Sequence, residues 1–237
     1  MATNFDEIYC LNTVIKIDQR LVNKPLYLVY GLYWKYLQLA IPFFQYDCKK
    51  DLLDLVPFSL TEYSFIGDGV SKEFSLDPVP KNKENLKFYI TTNVEGNDCS
   101  NEINSYNWDS NLNILTLEEA PLKGEHIDIK AYIVGHFNVD LEYNEKAILA
   151  RAMNVPYYEE QMTNSKILNF ATYGGSIKMH SQAEQLKVLT NAYITAKREL
   201  EGDISMYSYR TAPLGLNGLG ARTVCLNQLR HKQNPIA

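Results

Sequence analysis

The chain has 237 residues, 46% of them apolar and 22% charged, which is enough for one sizeable core or two modest ones and excludes disorder as the default state. A formal net charge of −5 excludes a surface built mainly to hold nucleic acid, because phosphate binding needs clustered Lys and Arg. Residues 1–7 lack a basic stretch followed by an apolar run, so no signal peptide is expected and the chain reads as made in the cytoplasm.

Helical signals come first. Asn4 caps a helix with Glu7 three residues on, and Phe5, Ile8, Tyr9, Leu11 and Ile15 follow at mixed three and four spacing. Pro25 suits the first turn of a second helix that runs to about Cys48. Apolar residues encircle this helix, which implies burial on several sides, by its own chain or by neighbours. The run 25–44 has the length of a membrane span. Lys35 and Gln38 near its middle, Pro42, and tyrosines spread along it rather than gathered at its ends favour a buried helix and no membrane.

From about residue 60 to 134 the pattern changes to short alternating segments. Residues 63–66, 73–76, 86–91, 113–117 and 127–132 read as strands, with turn signals at 67–69, 77–80, 95–98, 109–111 and 121–124. A stretch of this kind suits a small β-sandwich or barrel.

Helices return near Asp140. Ile148, Leu149, Ala152 and Met153 form an apolar face, with Pro156 kinking or ending the helix; a short helix over 165–170 follows, and Gly174 and Gly175 punctuate the chain. A last helix starts at a capping box of Ser181 and Glu184, and Leu186, Leu189, Tyr193, Ala196 and Leu200 repeat along one face. Beyond Gly202 this helix loses its support, and 207–237, with Pro213, Gly215, Gly218, Gly220 and Pro235, reads as an extended arm that cannot form a core. The fold class is therefore α+β. A helical bundle of residues 1–59 and 136–206 is split by an inserted all-β domain, sandwich or barrel, at 60–135, and ends in the arm.

Charge is unevenly placed. Arg210, Arg222, Arg230 and Lys232 are the only charged residues beyond Asp203, so this end carries +4 and the remainder −9. A basic arm on an acidic body implies that the arm docks on something other than its own body.

Chemistry-bearing constellations are few. His126, His136, His180 and His231 lie far apart in no catalytic or metal motif, and Cys10, Cys48, Cys99 and Cys225 are scattered, as isolated buried thiols are. No metal or cofactor is expected. The adjacent carboxylates Glu118–Glu119 and Glu159–Glu160 would need to share a cleft to cleave a glycosidic bond; neighbours in sequence point to different faces, so they read as solvated turn and helix-end residues. Gly67, Asp68 and Gly69 form a hairpin turn, without the further oxygen ligands of a calcium loop. Tyr89, Tyr106 and Trp108 would suit a sugar-binding platform, although packing within the sheet is the commoner use of strand aromatics. The glycine run LGLNGLG at 214–220 has neither the strand nor the helix that a phosphate loop needs.

Two stretches resemble the helical head-to-tail adaptor, or neck, proteins of tailed bacteriophages. The first is LYWKYLQLAIPFFQYDC at 32–48 with KKDLL at 49–53; the second begins with LEYNEKAILARAM at 141–153 and continues through MHSQAEQL at 179–186 to YSYR at 207–210. The segments FIGDGVSKEFSL at 65–76, Trp108, LTLEEAPLKGE at 115–125 and IDI at 127–129 are similar to small β domains of phage tail and neck proteins. The inserted β module departs from the compact helical family. The resemblance implies a structural, non-enzymatic virion protein, a ring with the portal's rotational symmetry, dodecameric, seated between the portal and the next tail or neck ring. Double-stranded DNA would pass through it without sequence-specific binding. It also implies an arm that grips the portal through Arg210, Leu214, Leu216, Arg222, Leu226, Leu229 and Arg230. The helical core or ring interface would comprise Trp34, Leu37, Ile41, Ile148, Leu149, Met153, Leu186, Leu189, Tyr193 and Leu200. Two further readings stay open: a tail or fibre component whose β module binds host-surface glycan, and a glycan-cleaving virion enzyme.

Overall fold

The computed structural model describes residues 2–16, 18, 21, 23–80, 86–94, 101–171 and 179–211. Along the chain these form β1 (Thr3–Asn4), α1 (Phe5–Leu11), α2 (Thr13–Lys16), α3 (Leu26–Phe44), β2 (Leu55–Val56), β3 (Ser59–Ile66), β4 (Glu73–Ser75), β5 (Lys87–Val94), β6 (Asn101–Ile103), β7 (Tyr106–Asp109), β8 (Ile114–Leu117), β9 (Glu125–Ile133), β10 (His136–Phe137), α4 (Tyr143–Ala152), α5 (Asn154–Ala171) and α6 (Met179–Thr211). The architecture is α+β, with N-terminal and C-terminal helices packed together and antiparallel sheets inserted between them.

The first helix opens at its cap, where the Asn4 N–H donates to Glu7 Oε1 at 3.3 Å. It then breaks at Asn12, which is buried and fully bonded. Asn12 Oδ1 accepts the Ile15 N–H at 2.8 Å, while Nδ2 donates to the Ala150 carbonyl at 2.7 Å and to Asn154 Oδ1 at 2.9 Å. One amide thus turns the chain from α1 to α2 and holds both against the α4–α5 corner, as a buried polar side chain must be satisfied to be tolerated.

Helix α3 ends at Phe44 rather than at Cys48. Pro42 has no N–H to donate back along the helix, which weakens the last turn. Within the described chain, burial around α3 is one-sided. Tyr33, Tyr36, Leu37, Ala40, Ile41 and Phe44 are buried in the main core, whereas Leu28, Leu39 and Phe43 are exposed. Among the described residues no helix is long and apolar enough to cross a membrane.

The inserted region contains two sheets, ordered β3-β9-β5-β6 and β4-β8-β7, and all their pairings are antiparallel. They face each other across a second core that includes Ile90, Ile127 and Ile129 from the first sheet and Phe74, Leu115 and Leu117 from the second. This is a small sandwich. Strand alternation sends Tyr89 and Tyr132 to the opposite, outer face. There they meet α3, with ring centroids 5.3 Å apart for Tyr27–Tyr89 and 6.1 Å for Tyr30–Tyr132; Lys130 and Lys87 cover the Tyr27 and Tyr30 rings at 5.3 and 5.2 Å.

The chain enters and leaves the sandwich on adjacent strands. Ser59 pairs with Ile133, Val56 with His136 and Leu55 with Phe137, and on the far side of β10 Phe137 pairs with Thr3. Gly135 makes the joint between β9 and β10. Its φ is +91°, and a Cβ there would stand 2.6 Å from both the Phe5 ring and the Val56 carbonyl oxygen.

In the C-terminal half, α4 ends at Ala152, and Pro156 falls in the first turn of α5, where its missing N–H has no helical partner to lose. The separate helix expected at 165–170 is the end of this longer α5. Ser181 lies inside α6 rather than at its cap, and Gly174 and Gly175 lie outside the described residues. Helix α6 also passes Gly202 unbroken, which corrects both the expected loss of support and the start of the arm at Tyr207. The reason is packing. Leu200, Ile204 and Tyr207 continue one stripe onto the main core past the glycine, and burying them outweighs the roughly 1 kcal/mol that a helical Gly costs.

That stripe is narrower than the repeat along one face implies. Leu200 is 3% exposed, but Leu186, Leu189 and Tyr193 are only half-buried, and Leu186 and Leu189 are not part of the main core. Leu200→Ala should therefore cost about 2–3 kcal/mol, the lower part of the range for a buried leucine, and Leu189→Ala clearly less. Urea unfolding of the two variants checks this order; equal losses would mean that the half-exposed turn of α6 matters as much as the buried one.

Candidate functional site

The place where α6 ends carries the most organised polar group of the helical body. Glu145 projects from the first turn of α4 along the same face as Ile148, Leu149 and Ala152, and the residue is 2% exposed. Its carboxylate accepts from Lys50 Nζ, from the Tyr207 hydroxyl and from the Glu142 N–H, each at 2.7 Å, and the Cys48 thiol lies 4.0 Å away. Lys50 also donates to the Asp140 carbonyl at 2.7 Å. Burial pushes the carboxylate up, but the Lys50, Tyr207 and Glu142 donors outweigh it and hold Glu145 below its ordinary value. Burial, reinforced by the bond to Glu145, pushes the Tyr207 hydroxyl up, so it stays a donor; burial does the same to the Cys48 thiol and keeps it protonated.

Around this carboxylate the aromatic and terminal contacts converge. Phe44 meets the Tyr207 ring edge-on at 5.0 Å, Ser208 donates to Asp47 at 2.7 Å, and Lys49 Nζ donates to the Thr211 carbonyl. Farther up, Arg151 pairs with Asp203, and the α3–α5 contact is tied by Lys35 and Tyr36, both donating to Glu160, at 2.6 and 3.0 Å. The end of α6 is thereby held to the loop after α3.

Of the residues expected in a core or ring interface, Leu37, Ile41, Ile148, Leu149, Met153 and Leu200 are buried together in one core. Trp34 is half-buried and stacks on Phe5, with centroids 5.3 Å apart. Of those expected in a portal-binding arm, Arg210 is in the last turn of α6 and is exposed, not in an extended segment. Leu214, Leu216, Arg222, Leu226, Leu229 and Arg230 lie outside the described residues.

Other constellations come apart or take structural roles. Tyr89 contacts Tyr27 on one face of β5, while Tyr106 and Trp108 pack on Phe88 from the other, at 5.6 and 5.1 Å, so the three rings do not make one platform. Glu159 and Glu160 are interior positions of α5, not helix ends: Glu159 accepts from the Tyr193 hydroxyl at 2.9 Å, and Glu160 is bonded as described above. Asp68 accepts from Val70 and Ser71 within its own turn, and these bonds, led by the Ser71 hydroxyl, hold its carboxyl down to about 2. Gly67 is required there, since a Cβ would fall 2.3 Å from the Leu122 carbonyl oxygen. Cys10 is exposed and Cys48 buried, which corrects the expectation of buried thiols for Cys10. No group of three or more His, Cys, Asp or Glu stands close enough to hold a metal ion among the described residues. A cleft of about 270 Å³ beside α1 and α3 is lined mainly by apolar atoms of Tyr9, Tyr30, Tyr33 and Val29, with Asp6 and Lys16 at its rim.

The residues that sequence reasoning missed were Asn12, Glu145 and Glu160. For the first two a signal existed: a lone polar residue at a position where the three-and-four spacing puts the apolar face.

No family model, no curated protein and no solved structure matches this chain.

Proposed function

We propose that this protein is a structural component of a tailed-bacteriophage virion, a head-to-tail adaptor that forms a ring beneath the portal and joins capsid to tail. The observation that carries the reading is the meeting of 32–53 and 141–210. These two stretches resemble the adaptor family, stand on either side of the β insertion, and pack as one helical body, α3 against α4 and α4 against α6. The Glu145 group supports the same reading, because it fixes the end of α6 and so the point from which the basic segment 212–237 departs.

In the assembled ring, Arg210 and the segment beyond it engage the portal. Arginines make charge-assisted bonds across subunit boundaries, and the leucines anchor in apolar grooves. The acidic remainder of the chain suits a channel wall that lets DNA pass, since a wall rich in Lys and Arg would bind phosphate. Twelve copies, a neighbouring tail or neck ring, and no cofactor complete the proposal.

Quantitative mass spectrometry and reconstruction of virions test it. The expected result is one copy per portal subunit and ring density at the neck. A second arm ends the chain after Thr211: a folded body that no longer joins portal-bearing heads is expected. Density in the tail fibres, or truncated chains that attach as well as intact ones, would overturn it.

A further inference from the structure

The side of α3 turned away from the core is an apolar stripe. Leu28, Leu39 and Phe43, with Tyr46 just past the helix, fall within about 60° of one another at helical pitch; Leu32 shares their sector but packs against the main core. All but the half-buried Leu32 are exposed, Tyr46 to 94%. The stripe runs roughly 27 Å, and its single charge, Lys35, bonds sideways to Glu160. An apolar face of this length on a free chain is a site of association unless something covers it, and the described elements leave it open.

We propose that residues 212–237 of the same chain lie along this face of α3 in the unassembled subunit. The segment begins at the right place. The Lys49 bond to the Thr211 carbonyl and the Ser208 bond to Asp47 put the start of the segment beside Tyr46, at one end of the stripe. Its length suffices, since an extended segment of that size reaches roughly 80 Å. Its composition is complementary: Leu214, Leu216, Leu219, Leu226 and Leu229 supply apolar side chains, and Gly215, Gly218 and Gly220 let the backbone approach closely. It has no acidic residue, whereas Asp47 and Asp51 stand exposed near Tyr46. Tethering gives the segment a millimolar-scale effective concentration at α3, which favours it over a second copy in dilute solution.

In the free chain the proposed partner of the arm is its own body, and the partner outside the body that the sequence implies would replace it. A partner that captures the segment uncovers α3, so capture of the arm and exposure of an apolar face are coupled. The inference does not rest on the adaptor reading; it holds for any partner of the arm.

The test uses the intact chain with a photoreactive benzoylphenylalanine in place of the exposed Leu39, irradiated at high dilution as an equal mixture of isotopically light and heavy protein. Expected are cross-links from position 39 to peptides of 212–237 within light chains and within heavy chains, falling to background in the intact chain carrying Leu226→Ser and Leu229→Ser. Light-to-heavy cross-links would place another copy on the face. These, links to other regions, no links, or links unaffected by the serine changes would each overturn the proposal.

Discussion

Glu145→Ala should destabilise the fold by about 3 kcal/mol, near the lower end for removing one partner of a buried ion pair because Lys50 keeps some access to water. The variant leaves the Tyr207 hydroxyl and the Glu142 N–H without their acceptor, and loosens α6 from α4 and from the loop after α3. Tyr207→Phe removes one of the three donors and should cost about 1 kcal/mol. Acid adds a second readout. The folded state holds Glu145 below its ordinary value, so its contribution is complete above the unfolded carboxylate value of about 4.3 and fades as pH falls through the lower folded value. Urea unfolding at neutral pH and across the acid range should show wild type losing an increment of stability that Glu145→Ala has already lost. A variant within experimental scatter of wild type at neutral pH, or one with the same acid slope, would remove Glu145 from the role assigned to it.

Periodicity made the layers legible and left their fastenings hidden. The strands at 73–76, 113–117 and 127–132 were readable because alternation survives wherever one sheet face is buried, and Phe74, Leu115, Ile127 and Ile129 do face a common core. β6 and β7 escaped notice because they are short, at three and four residues. The end of α6 was misplaced for a different reason. Local propensity weighs Gly202 against the helix, but Tyr207, beyond it, reaches Glu145 and Phe44, partners more than fifty residues away in the chain. A pattern rule registers that a residue is polar on an apolar face, as Asn12 and Glu145 are, and does not register which distant group satisfies it.

The same distinction applies to the candidate site. Ile148, Leu149 and Met153 were readable as core because their spacing matches a helix period, whereas Leu37 and Ile41 entered only through the resemblance. The apolar circumference of α3 was also legible, and with it the expectation of burial on several sides. What periodicity left open was which side stays bare, since that depends on where α4 and α5 land. The answer, the Leu28 to Tyr46 side, depends on where Lys35 and Tyr36 hold α5 beside the helix through Glu160.

Gly135→Ala should cost about 2–5 kcal/mol, and the loss should concentrate on the seating of the sandwich. Positive φ costs a residue with a Cβ roughly 1–2 kcal/mol, and forcing an extra methyl into a packed site adds about 1–3 kcal/mol. At φ +91° the new methyl would press on the Phe5 ring and the Val56 carbonyl at once. Phe5 cannot yield easily, being fully buried between Trp34 at 5.3 Å and Phe137 at 5.0 Å. Val56 belongs to the ladder β2-β10-β1 that joins the insertion to the first helix. A shift on either side therefore displaces β10, and with it the outer sheet face that packs Tyr89 and Tyr132 on α3. Phe5→Leu shrinks one obstacle and leaves the other, so the double variant should recover part of the Gly135→Ala loss, a coupling that distant sites do not show. Unfolding free energies of the two single variants and the double variant close the cycle. Strict additivity would mean that the glycine is needed only for its backbone angle, and that Phe5 does not set the joint between helices and sandwich.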